Sequence, residues 1–207
     1  MEESMKYSAR LILFISLAFM LGGCASPRPP TYYLLEPAFV AGDPDGDGQP
    51  CMVIGLRPVR IPSYIDRPQI MVRTGRNELA ISESNLWAEP LDENIARVIS
   101  RNLETLTCAE VVNILPAGRS GPADYTLRIQ VAAFEGGPGG EAVLEAGWSL
   151  SKGESRRTIT SQRSRFTNPV PGDDYTSLVS AYSELVARLS GEIARAIADL
   201  PPTLPRN

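Results

Sequence analysis

Three cysteines, a few carboxylates and a run of glycines are the residues of this chain with chemistry to offer. Cys24 closes an apolar run over residues 11–21 that ends in Gly22 and Gly23. Small residues before a cysteine let a peptidase take the backbone into its cleft, and the thiol left behind is a natural attachment point for acyl chains. Asp43, Asp45 and Asp47 alternate with Pro44 and Gly46 and match the first half of a calcium loop, where alternate carboxylates converge on the ion. The twelfth position of that loop is Ile54 instead of a bidentate glutamate, and Pro44 and Pro50 oppose flanking helices, so a solvated loop and no metal site is expected. Gly136–Gly140 lacks the lysine and the following helix that a phosphate loop needs, and reads as a turn or a mobile hairpin tip. Glu141 and Glu145 could pair for acid–base work, but such a pair fits a solvated surface better.

Nothing else in the composition supports catalysis. The chain has no histidine, which removes Ser-His-Asp and Cys-His arrangements, histidine zinc sites and the usual proton shuttle. It carries no G-x-G-x-x-G after a strand and no G-x-x-x-x-G-K-[ST], so no cofactor or nucleotide of its own is expected. The formal net charge is -4 and the arginines are scattered, which makes nucleic acid an unlikely fit as a partner.

The segment 1–23 has the basic and apolar layout of a secretory signal, and its apolar core is too short for a spanning helix of about 20 residues. Glu2 and Glu3 are out of place in a basic n-region. A start at Met5 leaves Lys6 and Arg10 alone there, and Met5 is taken as the real start. The Gly-Gly-Cys ending resembles the bacterial lipobox, so Cys24 is the expected lipidation site; the alternatives are a plain signal peptide or an uncleaved anchor. Residues 24–30 form a short proline-rich tether. Export places Cys51 and Cys108 where disulfides persist. Each sits at the start of an expected strand, so neighbouring strands in register would allow a Cys51–Cys108 bond, against two separately buried thiols.

The elements that must position these residues follow from periodicity. Strands are expected over 31–35, 52–57, 69–73, 78–81, 110–115, 125–131, 142–150 and 156–166, with prolines 58, 62 and 68 making 59–68 an extended edge or loop. Leu91, Ile95, Val98, Ile99 and Leu103 share one face of a helix that starts after Pro90. A longer helix capped at Asp173 or Asp174 carries Leu178, Tyr182, Leu185, Leu189 and Ile193, and prolines 201, 202 and 205 end it before a 201–207 tail. The sum is an α/β (α+β) domain over 31–200: an antiparallel-rich mixed sheet with two main helices packed on it, in two layers. Tyr64 stands between prolines on a stiff loop and is a candidate contact residue, because a stiff loop costs less to order on binding. Trp87 reads either as a second contact or as core against the helix after Pro90.

Tyr32-Tyr33-Leu34, then Val53-x-Gly55-Leu56-x-Pro58-Val59-x-Ile61-Pro62-x-Tyr64-Ile65-Asp66-Arg67-Pro68-Gln69-Ile70, then Leu86-Trp87-Ala88-Glu89-Pro90-Leu91 follow the lipobox in order. In this combination the chain resembles the ABC-type transport auxiliary lipoprotein family over about residues 31–200. The resemblance implies a fold similar to the TolB N-terminal domain and a non-enzymatic lipoprotein. It implies docking on a periplasmic MCE-family protein, with its inner-membrane permease, in lipid transport between the inner and outer membranes. It points to Pro62, Tyr64, Pro68, Trp87 and Glu89 as candidate partner-binding residues. Ala25 after the cysteine, where aspartate retains enteric lipoproteins at the inner membrane, favours anchoring at the periplasmic face of the outer membrane. Alternatives are a carrier domain that itself holds phospholipid and a structural envelope lipoprotein of another complex.

Overall fold

Valine, isoleucine, tyrosine and tryptophan at alternating positions build most of the molecule from strands. A computed structural model describes residues 29–38, 50–113, 123–153 and 157–201. The leader with Cys24, the calcium-like loop at 43–48, Leu115 with its following proline and the tail beyond Pro201 lie outside the described residues. In chain order the strands are β1 (Thr31–Tyr33), β2 (Met52–Leu56), β3 (Gln69–Gly75) and β4 (Glu78–Trp87). Helix α1 (Leu91–Leu106) follows, then β5 (Ala109–Asn113), β6 (Tyr125–Glu135), β7 (Glu141–Lys152), β8 (Thr158–Pro169) and α2 (Tyr175–Ala198).

The fold is mixed α+β, but the strands divide into two sheets instead of the one expected. A three-stranded sheet has the order β1-β4-β3 and a five-stranded sheet the order β5-β2-β6-β7-β8. Prolines 58, 62 and 68 cause the division, because they stop β2 and carry the chain away before the β3–β4 hairpin begins. The segment between them is more than a loop: Arg60 pairs with Gln130 as a bridge parallel to β6. β2 lies between β5 and β6 and is parallel to both, while β6, β7 and β8 form an antiparallel meander. The return of the chain to β5, parallel to β2, passes through α1, the kind of crossover a parallel pair requires.

Both helices bury the faces that their spacing predicts. Leu91, Ile95, Val98, Ile99 and Leu103 of α1 are buried, as are Leu178, Tyr182, Leu185, Leu189 and Ile193 of α2. They pack on Ile54, Leu127, Leu144 and Leu150 in one continuous core. Asp174 caps α2 by accepting from the Ser177 N–H at 2.7 Å, and Asp92 and Glu93 occupy the first turn of α1 where the helix dipole favours them. Between the helices, buried Asn102 donates through Nδ2 to Ser190 Oγ at 3.2 Å.

Register also brings the two downstream cysteines together. Met52 pairs with Ala109 across β2 and β5, one step beyond Cys51 and Cys108. Their sulfur atoms are bonded, with the Cα atoms 5.5 Å apart, and the Cys51 N–H donates to the Cys108 carbonyl at 3.0 Å. The glycine run at 136–140 is the β6–β7 turn, but it is not a free tip. Arg73 N–H donates to Gly136 O, Gly139 N–H to Gly172 O and Val170 N–H to Gly140 O, all within 2.9 Å. Gly139 has φ +70°, a conformation that favours glycine.

Candidate docking surface

The proline-rich segment is fixed to the sheet before and after its exposed stretch. Arg57 N–H donates to Leu127 O at 3.0 Å, Arg60 N–H to Ile129 O at 3.1 Å, and Val131 N–H returns to Arg60 O at 2.8 Å. At the far end Trp87 N–H donates to Pro68 O at 2.7 Å. Between these points the chain turns at Pro62–Ile65, closed by Ile65 N–H on Pro62 O at 3.1 Å. Ile65 is buried beneath the turn, while Ser63, Asp66 and Pro68 are exposed and Pro62 and Tyr64 half-buried.

Tyr64 is held from below. Its hydroxyl donates to Glu135 Oε1 at 2.5 Å, and Arg73 donates through Nε to Glu135 Oε2 at 2.5 Å. One carboxylate therefore ties the loop, β3 and the end of β6. Burial pushes the Tyr64 phenol well above its ordinary value, the hydrogen bond and negative charge of Glu135 push it further, and Arg73 offsets part of this. The phenol therefore stays a protonated donor at neutral pH. Neither Glu135 nor Arg73 carries a signal in the sequence, because each is one charged residue among several at strand ends.

Trp87 does not present a docking face. It is 5 % exposed, and its ring centroid lies 6.5 Å from that of Phe134 on β6 and 6.3 Å from that of Tyr182 on α2. Phe134 and Tyr182 stack at 4.2 Å. The three rings join the small sheet, the large sheet and α2, so the contact reading of Trp87 gives way to the core reading. Glu89 is likewise engaged internally. It accepts from Arg97 Nε at 2.9 Å, and Arg97 NH2 donates to Leu35 O at 3.2 Å, which ties the chain after β1 to the start of α1. Glu145 is paired with Arg165, which removes it from any carboxylate pair with Glu141. Among the described residues no group of His, Cys, Asp and Glu side chains is placed to hold a metal.

Beneath the loop, a cavity of about 10 Å³ is lined by Ile65, Ile70, Met71, Trp87, Phe134 and Tyr182 among others, about the space of one water. The Tyr182 hydroxyl has no hydrogen-bond partner among the described residues. A larger space, about 500 Å³, is an open groove between the end of β8 and the first turns of α2, lined by Asn168, Thr176, Ser177, Ser180 and Glu184 among others. Pro169, Pro171 and Ala181 also line it, so its wall is mixed, and it is open to solvent. Among the described residues no helix is long and apolar enough to cross a membrane.

Residues 33–194 match the family described as the ABC-type transport auxiliary lipoprotein component. The chain is 25% identical over 184 residues to the intermembrane transport lipoprotein PqiC of Escherichia coli (strain K12), covering 89% of this chain and 95% of that protein. PqiC of Shigella flexneri matches with the same figures. Among solved structures, an uncharacterized protein superposes with a TM-score of 0.68 at 22% identity, over 82% of this chain and 99% of that one. A Xanthomonas campestris protein of the DUF330 family superposes with a TM-score of 0.64 at 20% identity, over 79% of this chain and 92% of that one.

Proposed function

The chain belongs to the ABC-type transport auxiliary lipoprotein component family, and on that premise we propose that it is a non-enzymatic docking lipoprotein, acylated at Cys24 and anchored at the periplasmic face of the outer membrane. Its partner is the periplasm-spanning MCE protein of an ABC-type lipid transporter, which reaches it from the inner-membrane permease. Anchor and domain together fix the outer end of the transport path.

One observation supports docking above the alternatives: the stretch Pro62–Pro68 is an exposed turn pinned at both ends and clasped by Glu135. A pinned loop loses little conformational freedom on binding, so more of its contact energy appears as affinity. Pro62, Tyr64 and Pro68 are its contact residues. A carrier role has the opposite requirement, a cavity of several hundred Å³ with apolar walls, whereas the space under the loop is about 10 Å³.

Affinity purification of the detergent-solubilised native protein tests the reading. The MCE protein co-purifies with the wild type and is lost or depleted with Pro68→Glu, while the variant keeps the wild-type circular dichroism and melting temperature. Failure to recover any transporter subunit, under conditions that preserve a known MCE complex, would overturn it.

A further inference from the structure

We propose that the outward side of β1 and the residue after it, formed by Tyr32 and Leu34 with Leu86 beside them, is a membrane-interface contact of the folded domain, seated on the same bilayer that holds the anchor. The proposal rests on acylation at Cys24. Alternation along the strand separates two sets of side chains. Leu35 is fully buried and Tyr33 packs toward the core 6.3 Å from Tyr175, whereas Tyr32 is 60% and Leu34 40% exposed. In register, Tyr32 stands opposite half-buried Leu86 of β4. The patch is therefore apolar with one phenolic hydroxyl at its margin, the chemistry of side chains that settle at a headgroup boundary.

The length of the tether selects the occupant. Tyr32 stands eight positions after Cys24, with prolines at 27, 29 and 30. At about 3.1 Å per residue for an extended proline-rich chain, Tyr32 lies within roughly 25 Å of the acylated cysteine. The acylated residue itself must sit at the headgroup level. β1 is thus the described strand with the least freedom to leave the bilayer, and its unpaired outward side faces the surface at high effective concentration. The contact would set the orientation of the domain, which the tether alone leaves free.

Brominated lipids read this directly. Full-length acylated protein carrying Tyr32→Trp is reconstituted into phosphatidylethanolamine–phosphatidylglycerol vesicles with or without dibrominated chains, beside Ile159→Trp on the edge strand of the other sheet. Both sites are exposed and both native tryptophans are buried, so difference spectra against wild type isolate the reporter. The expected result is loss of about half the added emission for Tyr32→Trp and no loss for Ile159→Trp, since quenching needs contact with the interface. Equal quenching of the two reporters, or none at Tyr32→Trp, overturns the proposal. So does a reporter that responds only when solubilised transporter is added, which assigns the patch to a protein. Intact mass separates the two readings: an acylated but unquenched protein refutes the contact alone, and a protein without acyl mass refutes the anchor and the contact with it. Leu34→Trp repeats the measurement if Tyr32→Trp fails to fold.

Discussion

The Tyr64 hydroxyl and the Glu135 carboxylate meet at 2.5 Å across 71 residues of sequence, and the second oxygen of that carboxylate takes Arg73. Tyr64→Phe removes the donor and leaves the Glu135–Arg73 pair in place. The expected cost is about 1.5–3 kcal/mol, the worth of one hydrogen bond to a charged group, read from the urea midpoint. Amide exchange over residues 62–68 should accelerate, because the turn loses its lower support. Binding to the transporter should weaken more than stability does.

Alkaline titration reports on Tyr64 and Tyr182. Burial pushes Tyr64 and Tyr182 upward, with the negative charge of Glu135 acting in the same direction on both. The folded protein holds these two protons above the pH of about 10 at which an unfolded tyrosine loses them. Between those limits the folded state binds more protons than the unfolded one, so stability falls as pH rises. It is intact below pH ~10 and declines above it. Phenolate absorbance should show Tyr64 and Tyr182 ionising late, and Tyr64→Phe should reduce that late step by one tyrosine.

Trp87→Ala should cost about 3–5 kcal/mol, the range for truncating a buried tryptophan. It removes the ring packed beside the stacked Phe134 and Tyr182 and with it one of the contacts between the two sheets. Trp87→Phe keeps an aromatic there and should retain transporter binding if the domain stays folded. Loss of binding by a folded Trp87→Phe variant would return the residue to the contact surface.

Reduction of the Cys51–Cys108 bond, or Cys51→Ser with Cys108→Ser, should lower the unfolding free energy by about 3–4 kcal/mol on the chain-entropy estimate. The bond closes a span of 57 residues that contains β2, the β3 and β4 strands of the small sheet and α1. A midpoint unchanged by reductant would show that these elements are held without it.

Glu89→Ala should change stability by no more than about 1 kcal/mol, since both partners of its ion pair are partly exposed and solvent screens them. Thermal denaturation would register this, and transporter capture should be unaffected. A large loss of capture by a folded Glu89→Ala protein would place the residue at the interface after all.

The helices were legible because α1 and α2 bury one face at a 3.6-residue period, and Leu178 through Ile193 mark that face without ambiguity. Strand identity was legible for the same reason at a period of two, and β4 and β6 run beyond their expected ends because their outer halves alternate less cleanly. Partition into two sheets was not legible. It depends on which strand β2 pairs with after the prolines release the chain, and hydrogen-bond partners across 50 or more residues leave no periodic trace. At the docking surface, the proline spacing identified the stiff loop around Tyr64. Glu135 and Arg73 were missed because a charged strand residue looks the same whether it faces water or clasps a tyrosine. Trp87 reads as a contact residue for the converse reason: it stands in a conspicuous motif, yet it is buried there, and that motif ties β4 to α1.

β1 is parallel to β4, and its chain continues to Leu35, whose carbonyl accepts from Arg97. A pull on the tether enters at Thr31 and runs along the strand axis. The ladder to β4 is then sheared, with its hydrogen bonds loaded together, and is not peeled open one at a time. Behind the ladder, buried Leu35 and the Arg97 contact take up the remaining force before it reaches the core. Under the proposed anchoring, load between membrane and partner would enter the folded domain through this strand and its contacts.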